Sequence, residues 1–449
     1  MAKIDGVRYL NGRFKKALIL EGPDPSLDEY LRQQGIEPDR RETQDEDEVV
    51  AILKEGQHDL IYKRSRFIIN ERVLQASENL AAIMLCCIGD DSVDKQACAR
   101  EGVLVMNDPI SNGWSVVELV FGEMITMARR IYDSVDLSNR HQWSKDNKHR
   151  YELRGKTLAI IGLGNIGKQI AQLANAFHMD VCFYDSNEVA REVGQALGWR
   201  SLDSIAQAFR VADIVTVHVS AEDVQGNSNE LLLNYEEHFS QMGKDRGEDG
   251  PRIFVNASRG FVHDPKDLVR AVEEGAIRFA MVDVFPDEPG TKRDPWHNPY
   301  ADSERIYSTP HIGAATEEAQ PRIAKHKATT TRMLNCYGTV RDTVFAPGVS
   351  IGVEMEKPKV ILAVVHSDAR GTKKAVDDCI YEAGLSTLQS RHRDFSRYGI
   401  AYDVNALDSP LTEEQLHALV AKARQISGDP TAIRSLRVIE VEQTDCSAE

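Results

Sequence analysis

The run Gly162-Leu-Gly164-Asn-Ile-Gly167, set directly behind the apolar stretch Leu158 to Ile161, constrains this chain more than any other feature. Alone, such a glycine triplet is weak evidence. Between a strand and a helix it marks the turn in which a parallel α/β sheet cradles a dinucleotide. The first glycine permits a tight turn, the second lets the backbone approach a pyrophosphate, and the third allows close helix–strand packing. The helix that opens here, read over Lys168 to Phe177, offers free N–H groups and the positive end of its dipole to that anion. Asp185 ends the next apolar stretch, 18 residues after Gly167. A carboxylate there accepts from the adenosine ribose hydroxyls and repels the extra phosphate of NADP. These residues predict an NAD site on a Rossmann-type domain.

The flanking pattern agrees. Thr157 to Ile161, Val181 to Tyr184, Ile214 to Val219, Ile253 to Asn256 and Phe279 to Val284 read as parallel strands, with a charged, glycine-rich loop at 240–251. Upstream, Ala17 to Leu20, Asp59 to Tyr62, Ala81 to Ile88 and Val103 to Asn107 read as strands of a second α/β region, with a helix at Leu27 to Gln34. Ser115 to Arg130 is apolar at helical spacing, and Ser115 with Glu118 predicts a capping box at its start. Residues 138–154 are polar and read as a surface connection. A helix over 316–337 and a linker to Pro358 follow. The last region, 359–442, reads strand, helix, two strands, helix, strand, which is a ferredoxin-like βαββαβ unit.

Composition closes off other classes. A net charge of −16 argues against nucleic acid as a partner, because that needs a clustered basic surface. The longest apolar stretch, Leu80 to Ile88, is far short of a membrane span. Seven scattered cysteines with no C-x-x-C pair predict reduced thiols in a cytoplasmic protein, with no disulfide framework and no metal site.

Three polar residues sit just beyond candidate strands, where open α/β sheets place their ligand crevice. They are Arg259 in Asn256-Ala-Ser-Arg-Gly260, Glu288 in Val282-Asp-Val-Phe-Pro-Asp-Glu-Pro289, and His311 in Thr309-Pro-His-Ile-Gly313. Oxidising an alcohol needs a base for the hydroxyl proton while hydride leaves, and an imidazole suits that task near neutral pH. A neighbouring carboxylate orients the ring and raises its pKa. An arginine grips a substrate carboxylate through two parallel hydrogen bonds.

With these blocks in place the chain resembles the D-isomer-specific 2-hydroxyacid dehydrogenases. Arg64-Ser-Arg66, Cys87-Ile-Gly89, Asn112 and Ser115-Val-Val-Glu118 also match, and the likeness covers residues 55–320 well. The resemblance implies catalytic roles for Arg259, Glu288 and His311. It implies cofactor contacts at Gly162, Gly164, Asn165, Ile166, Gly167, Asp185, Ala257 and Ser258, with Asp283 at the nicotinamide carboxamide. It also implies a substrate domain of residues 1–111, completed by 316–350 and flavodoxin-like in fold. The nucleotide domain, 112–315, is inserted between these parts and closes a cleft over the substrate. The C-terminal unit, 357–443, resembles an ACT domain, and a homodimer or homotetramer is implied.

The substrate implied is a phosphorylated 2-hydroxy acid such as 3-phosphoglycerate. Lys63-Arg64-Ser65-Arg66 forms a basic run after a strand in an acidic chain, suited to phosphate. Asn112 adds a hydrogen bond, and Lys145 resembles a lysine that relatives extend into the partner's site. Reduction of another 2-oxo acid, such as 2-oxoglutarate, and an NAD-sensing corepressor role stay open. The chain departs from the family pattern at Asp90, usually a small hydroxyl residue, at Ser220, usually proline, and in its longer 240–251 loop. In the ACT-like unit, His366-Ser-Asp-Ala-Arg-Gly371 carries Asp368 and Arg370 where serine-inhibited relatives have Asn and Pro, and Ser386 replaces a second ligand Asn. The unit is therefore expected to support assembly.

Overall fold

The computed structural model describes residues 3–247, 249–289, 294–345 and 360–441. The expected linker to Pro358 and the boundaries at 350, 357 and 443 lie outside the described residues. By compactness the chain divides into two units, Met1–Pro109 with Gln320–Glu449, and Ile110–Ala319.

In the first unit, five parallel strands lie in the order Glu37–Arg40, Lys16–Ile19, Leu60–Lys63, Ala82–Leu85, Leu104–Met106. This is the flavodoxin-like order 2-1-3-4-5. Leu60–Lys63 and Ala82–Leu85 are buried at every position, as expected of strands covered on both faces. The edge strand Glu37–Arg40, of sequence Glu-Pro-Asp-Arg, had no apolar signal to announce it. Its proline is tolerable only because an edge strand leaves one side unpaired.

The C-terminal unit has the βαββαβ order expected: strand Val360–Ser367, helix Thr372–Glu382, strands Thr387–Phe395 and Ile400–Leu407, helix Glu413–Ser427 and strand Ile433–Glu440. One face, with Leu362, Val364, Leu436 and Val438, packs against the two helices. The other, with Ile361, Ala363, Tyr402 and Val404, shares a continuous core with the first sheet. The sequence did not reveal that Arg8–Asn11 adds a fifth strand here, parallel to Ile433–Glu440. Arg8 secures it through hydrogen bonds to the Ser77 and Leu74 carbonyls and to Glu101.

In the second unit, seven parallel strands run in the order Ile306–Ser308, Phe279–Val282, Ile253–Asn256, Ile214–Val217, Thr157–Ile161, Asp180–Tyr184, Arg200–Ser201. This is the doubly wound Rossmann order, with the sheet reversing direction beside Thr157–Ile161. The strands Arg200–Ser201 and Ile306–Ser308 are too short to show a period in sequence.

The expected capping box is not formed. The helix spans Gly113–Arg129, two residues earlier than read, and has no side-chain cap. Ser115 therefore lies inside it and its hydroxyl meets the Thr316 hydroxyl at 3.0 Å, while Glu118 accepts from Trp114. Arg130, in the left-handed conformation, breaks the helix, and a second one, Ile131–Asn139, reaches two residues into the stretch read as a connection. Among the described residues, no disulfide joins the six cysteines. Among the described residues, no helix is long and apolar enough to cross a membrane.

Candidate active site

The glycine turn has the geometry its sequence demanded. Gly162 sits at φ +92, and a Cβ there would lie 2.6 Å from the His218 carbonyl oxygen. A Cβ on Gly167 would lie 2.2 Å from the Gly162 oxygen, so helix and strand touch at backbone level. Gly164 has nothing within 4 Å of its missing side chain and stands at the N-cap of helix Asn165–Ala176, which has no side-chain cap. The helix begins three residues earlier than expected, which puts Asn165, Ile166 and Gly167 in its first turn. Open space and uncapped N–H groups together fit a pyrophosphate. Asp185 accepts from the Leu163 N–H and the Asn187 N–H, both at 2.7 Å, and so braces the turn as well as ending its strand. Arg191 is folded back onto the Asp185 and Ser186 carbonyls.

Arg259, Glu288 and His311 lie on the loops that leave strands Ile253–Asn256, Phe279–Val282 and Ile306–Ser308, all at the carboxyl edge of the same sheet. His311 Nδ1 is 2.8 Å from Glu288 Oε2. That hydrogen bond, with the carboxylate's charge, raises the imidazole pKa against the opposing effect of burial. Burial works to raise the Glu288 carboxyl, but the bond and charge of His311 outweigh it and leave the acid lowered. With Nδ1–H donating to Glu288, Nε2 carries the lone pair, which is the tautomer a general base needs. Arg259 donates to the Ser258 carbonyl at 3.0 Å, and its charge acts on both His311 and Glu288.

Supporting contacts that sequence reasoning missed hold these loops. The Asn256 side chain accepts from the Ser258 N–H and hydroxyl and donates to the Arg259 carbonyl. Gly260 packs against backbone, for a Cβ there would lie 2.0 Å from the Phe285 carbonyl carbon. The Phe285 N–H in turn donates to Glu288. Buried Asp283, expected at the cofactor, accepts from the Thr309 hydroxyl and from the Ile312 and Gly313 N–H groups at 2.7–2.8 Å. It thus anchors the His311 loop, and burial raises its carboxyl. His218 is half-buried, its Nε2 beside the Thr216 hydroxyl, and burial of the ring pushes its pKa down to about 3, so it stays neutral.

The basic run in the first unit is split between core and surface. Lys63 is buried, and its ammonium donates to the Arg64 carbonyl and the Ser92 hydroxyl. It faces inward because it lies on strand Leu60–Lys63, whose four residues are all buried. Arg64 is half-buried, and Ser65 and Arg66 are exposed. The loop is draped over Glu21, whose carboxylate accepts from the N–H groups of Arg64, Arg66 and Phe67 at 2.6–2.8 Å. Asp90 is paired with Lys95 at 3.2 Å, which offsets the charge of that departure from the family pattern. Asn112 and Lys145 belong to the second unit. Asn112 is buried with Oδ1 unpartnered among the described residues, and Lys145 is exposed.

Residues 121–313 match the family described as the D-isomer specific 2-hydroxyacid dehydrogenase NAD-binding domain. D-3-phosphoglycerate dehydrogenase of Escherichia coli is 32% identical over 412 residues, covering 90% of this chain and 95% of that protein. This chain belongs to the D-isomer specific 2-hydroxyacid dehydrogenases. D-3-phosphoglycerate dehydrogenase 2 of Saccharomyces cerevisiae is a further relative, 33% identical over 381 residues, 82% of this chain and 77% of its own. The crystal structure of NAD+-bound 3-phosphoglycerate dehydrogenase from Entamoeba histolytica shares the fold, with a TM-score of 0.58 over 74% of this chain and 98% of that one at 23% identity. As a member of the family the chain is an NAD-dependent dehydrogenase, and the matched residues span the glycine turn, Arg259, Glu288 and His311.

Proposed function

We propose that this dehydrogenase oxidises D-3-phosphoglycerate to 3-phosphohydroxypyruvate, the opening step of L-serine synthesis. When bound, NAD supplies the hydride acceptor at its nicotinamide C4. Gly162, Gly164, Asn165, Ile166 and Gly167 would hold the pyrophosphate, and Asp185 the ribose hydroxyls. Ala257, Ser258 and Asp283 would flank the nicotinamide end. His311 takes the hydroxyl proton at Nε2, Glu288 stabilises the resulting imidazolium, and Arg259 grips the carboxylate so that the C2 hydrogen faces the acceptor. The observation that carries this reading is the His311–Glu288 pair at 2.8 Å, with the imidazole raised and Arg259 acting on both.

Arg64, Ser65, Arg66, Asn112 and Lys145 would recognise the phosphate, which makes residues 1–111 with helix Ala319–Tyr337 the substrate-binding part. The anchored loop over Glu21 supports that role because its backbone N–H groups fix the loop from which these side chains extend. The C-terminal unit would serve assembly. A homodimer or homotetramer is supported by exposed apolar side chains on the segment holding Trp114, Ile131, Val135 and Trp143, the last 94% exposed. Free thiols fit a cytoplasmic setting.

The test is turnover of D-3-phosphoglycerate with NAD at alkaline pH, compared with unphosphorylated 2-hydroxy acids. Arg64→Ala should cost the phosphorylated substrate ~10-fold or more in kcat/KM, as expected for a charged hydrogen bond, and leave lactate or 2-hydroxyglutarate oxidation nearly unchanged. Equal losses for both would overturn the phosphate assignment.

A further inference from the structure

The helix-covered face of the C-terminal sheet holds an unexpected polar cluster. His366 is the next-to-last residue of strand Val360–Ser367, Asp403 lies in Ile400–Leu407 and His392 lies opposite it on Thr387–Phe395, the His392↔Asp403 pair being in register. One ligand atom from each of the three lies within 4.8 Å of the other two. No spacing in the sequence announces this site, because three strands contribute one residue each. The sequence accordingly predicts no metal.

Burial makes the arrangement costly as it stands. His366 and Asp403 are 1% and 0% exposed. His366 Nδ1 lies 2.7 Å from the Ser367 carbonyl, which can only accept, so Nδ1 bears the hydrogen. With the hydrogen on Nδ1, Nε2 is the atom that presents a lone pair. That Nε2 is buried without a partner, and neither Asp403 oxygen receives a well-directed hydrogen bond. Asn405, the next residue on the same face, also has both side-chain polar atoms buried and unpartnered. A buried lone pair beside a buried carboxylate, with Lys373 at 3.1 Å as the cation near it, leaves polar atoms that a bound metal would satisfy.

From these residues we infer that His366, His392 and Asp403 bind a divalent transition-metal ion of the zinc class. Two imidazoles and a carboxylate are a common zinc donor set, with a fourth position left for water. The Nδ1–carbonyl bond of His366 is the outer contact that usually orients a metal-bound imidazole. Ligand atoms in a tetrahedral zinc centre stand about 3.3 Å apart, so the site must contract on binding. His392 can supply that movement, being an exposed side chain held by Asp394 at 3.0 Å and lying 3.8 Å from Asp403. Lys373 is the competitor. Its ammonium lies 3.1 Å from Asp403 and also pairs with Asp377, to which it retreats when the metal enters.

The test uses the full-length, tag-free protein stripped with chelator and titrated with Co2+ and with Zn2+. Expected are one equivalent of tight binding and visible d–d bands from Co2+ that Zn2+ abolishes. His392→Ala should weaken binding at least ~10-fold, and Lys373→Ala should tighten it by removing the competing charge. Replacing the exposed His417, which pairs with Asp5 elsewhere on the unit, should change nothing. The inference is overturned if the wild type binds no stoichiometric metal, or if both His392→Ala and Lys373→Ala bind as the wild type does. Dehydrogenase turnover is not the readout, so the outcome is independent of the proposed substrate.

Discussion

Two buried carboxylates, one in each unit, do similar work under different electrostatic conditions. Glu21 accepts three backbone N–H groups from the loop holding Arg64 and Arg66, while Asp283 accepts two N–H groups and a hydroxyl from the loop holding His311. Glu21 has a buried counter-charge beside it, the Lys63 ammonium at 3.8 Å. For Asp283 the cation that acts on it is the protonated form of His311 itself. The loop in the first unit is therefore insulated, its anchor charge balanced internally by the Lys63 ammonium. The loop in the second unit is coupled, its anchor favouring the very proton that His311 must gain and lose. Rigidity comes from the same hydrogen-bond pattern in both, and only the placement of positive charge separates a holding device from a proton-handling one.

The contrast can be broken at several points. The largest effect is expected from His311→Ala, which should reduce kcat by ~10^3-fold while leaving the NAD dissociation constant unchanged, as read by nucleotide fluorescence. A smaller one follows Glu21→Gln, which removes the charge balancing Lys63 and loosens the loop. The KM of the phosphorylated substrate should rise ~10-fold with kcat and the KM for NAD nearly constant. A matching rise in the KM for NAD would show that the loop is not insulated. Next, Glu288→Gln tests the coupling through pH. The base must be neutral to act, so kcat/KM climbs as pH passes the raised pKa of His311. Without the Glu288 charge that pKa falls, and the climb should move to lower pH, with kcat down by about tenfold. The smallest change is expected from Asp185→Ser, which should improve NADP use a few-fold relative to NAD, measured as the ratio of kcat/KM values.

The same contrast explains what the sequence disclosed. His311, Glu288, Arg259 and the glycine turn each sit in a short contiguous block behind an apolar strand, so local order was enough to find them. Asp283 was visible in such a block, but its hydrogen bonds to residues 309–313 were not. Glu21 left no signal, because its partners lie 43 to 46 residues away. Lys63 reads from sequence as the start of the basic run just past strand Asp59 to Tyr62, whereas the strand extends to Lys63 and all four of its residues are buried. Strand Glu37–Arg40 escaped for the opposite reason, since pairing with Lys16–Ile19 makes a polar segment extended without any apolar face. Ser115 and Glu118 had the right spacing for a cap, but a helix starting at Gly113 placed them one turn too deep.

Strand Arg8–Asn11 has a consequence for how this molecule is made. Its pairing partner, Ile433–Glu440, is translated more than four hundred residues later. During synthesis the early segment must wait unpaired, with Leu10 and Phe14 exposed, until Ile433–Glu440 has left the ribosome. Shortening the chain by a few dozen residues at its far end would therefore strand an apolar edge near its start, and chaperone demand, more than lost catalysis, would be the first symptom.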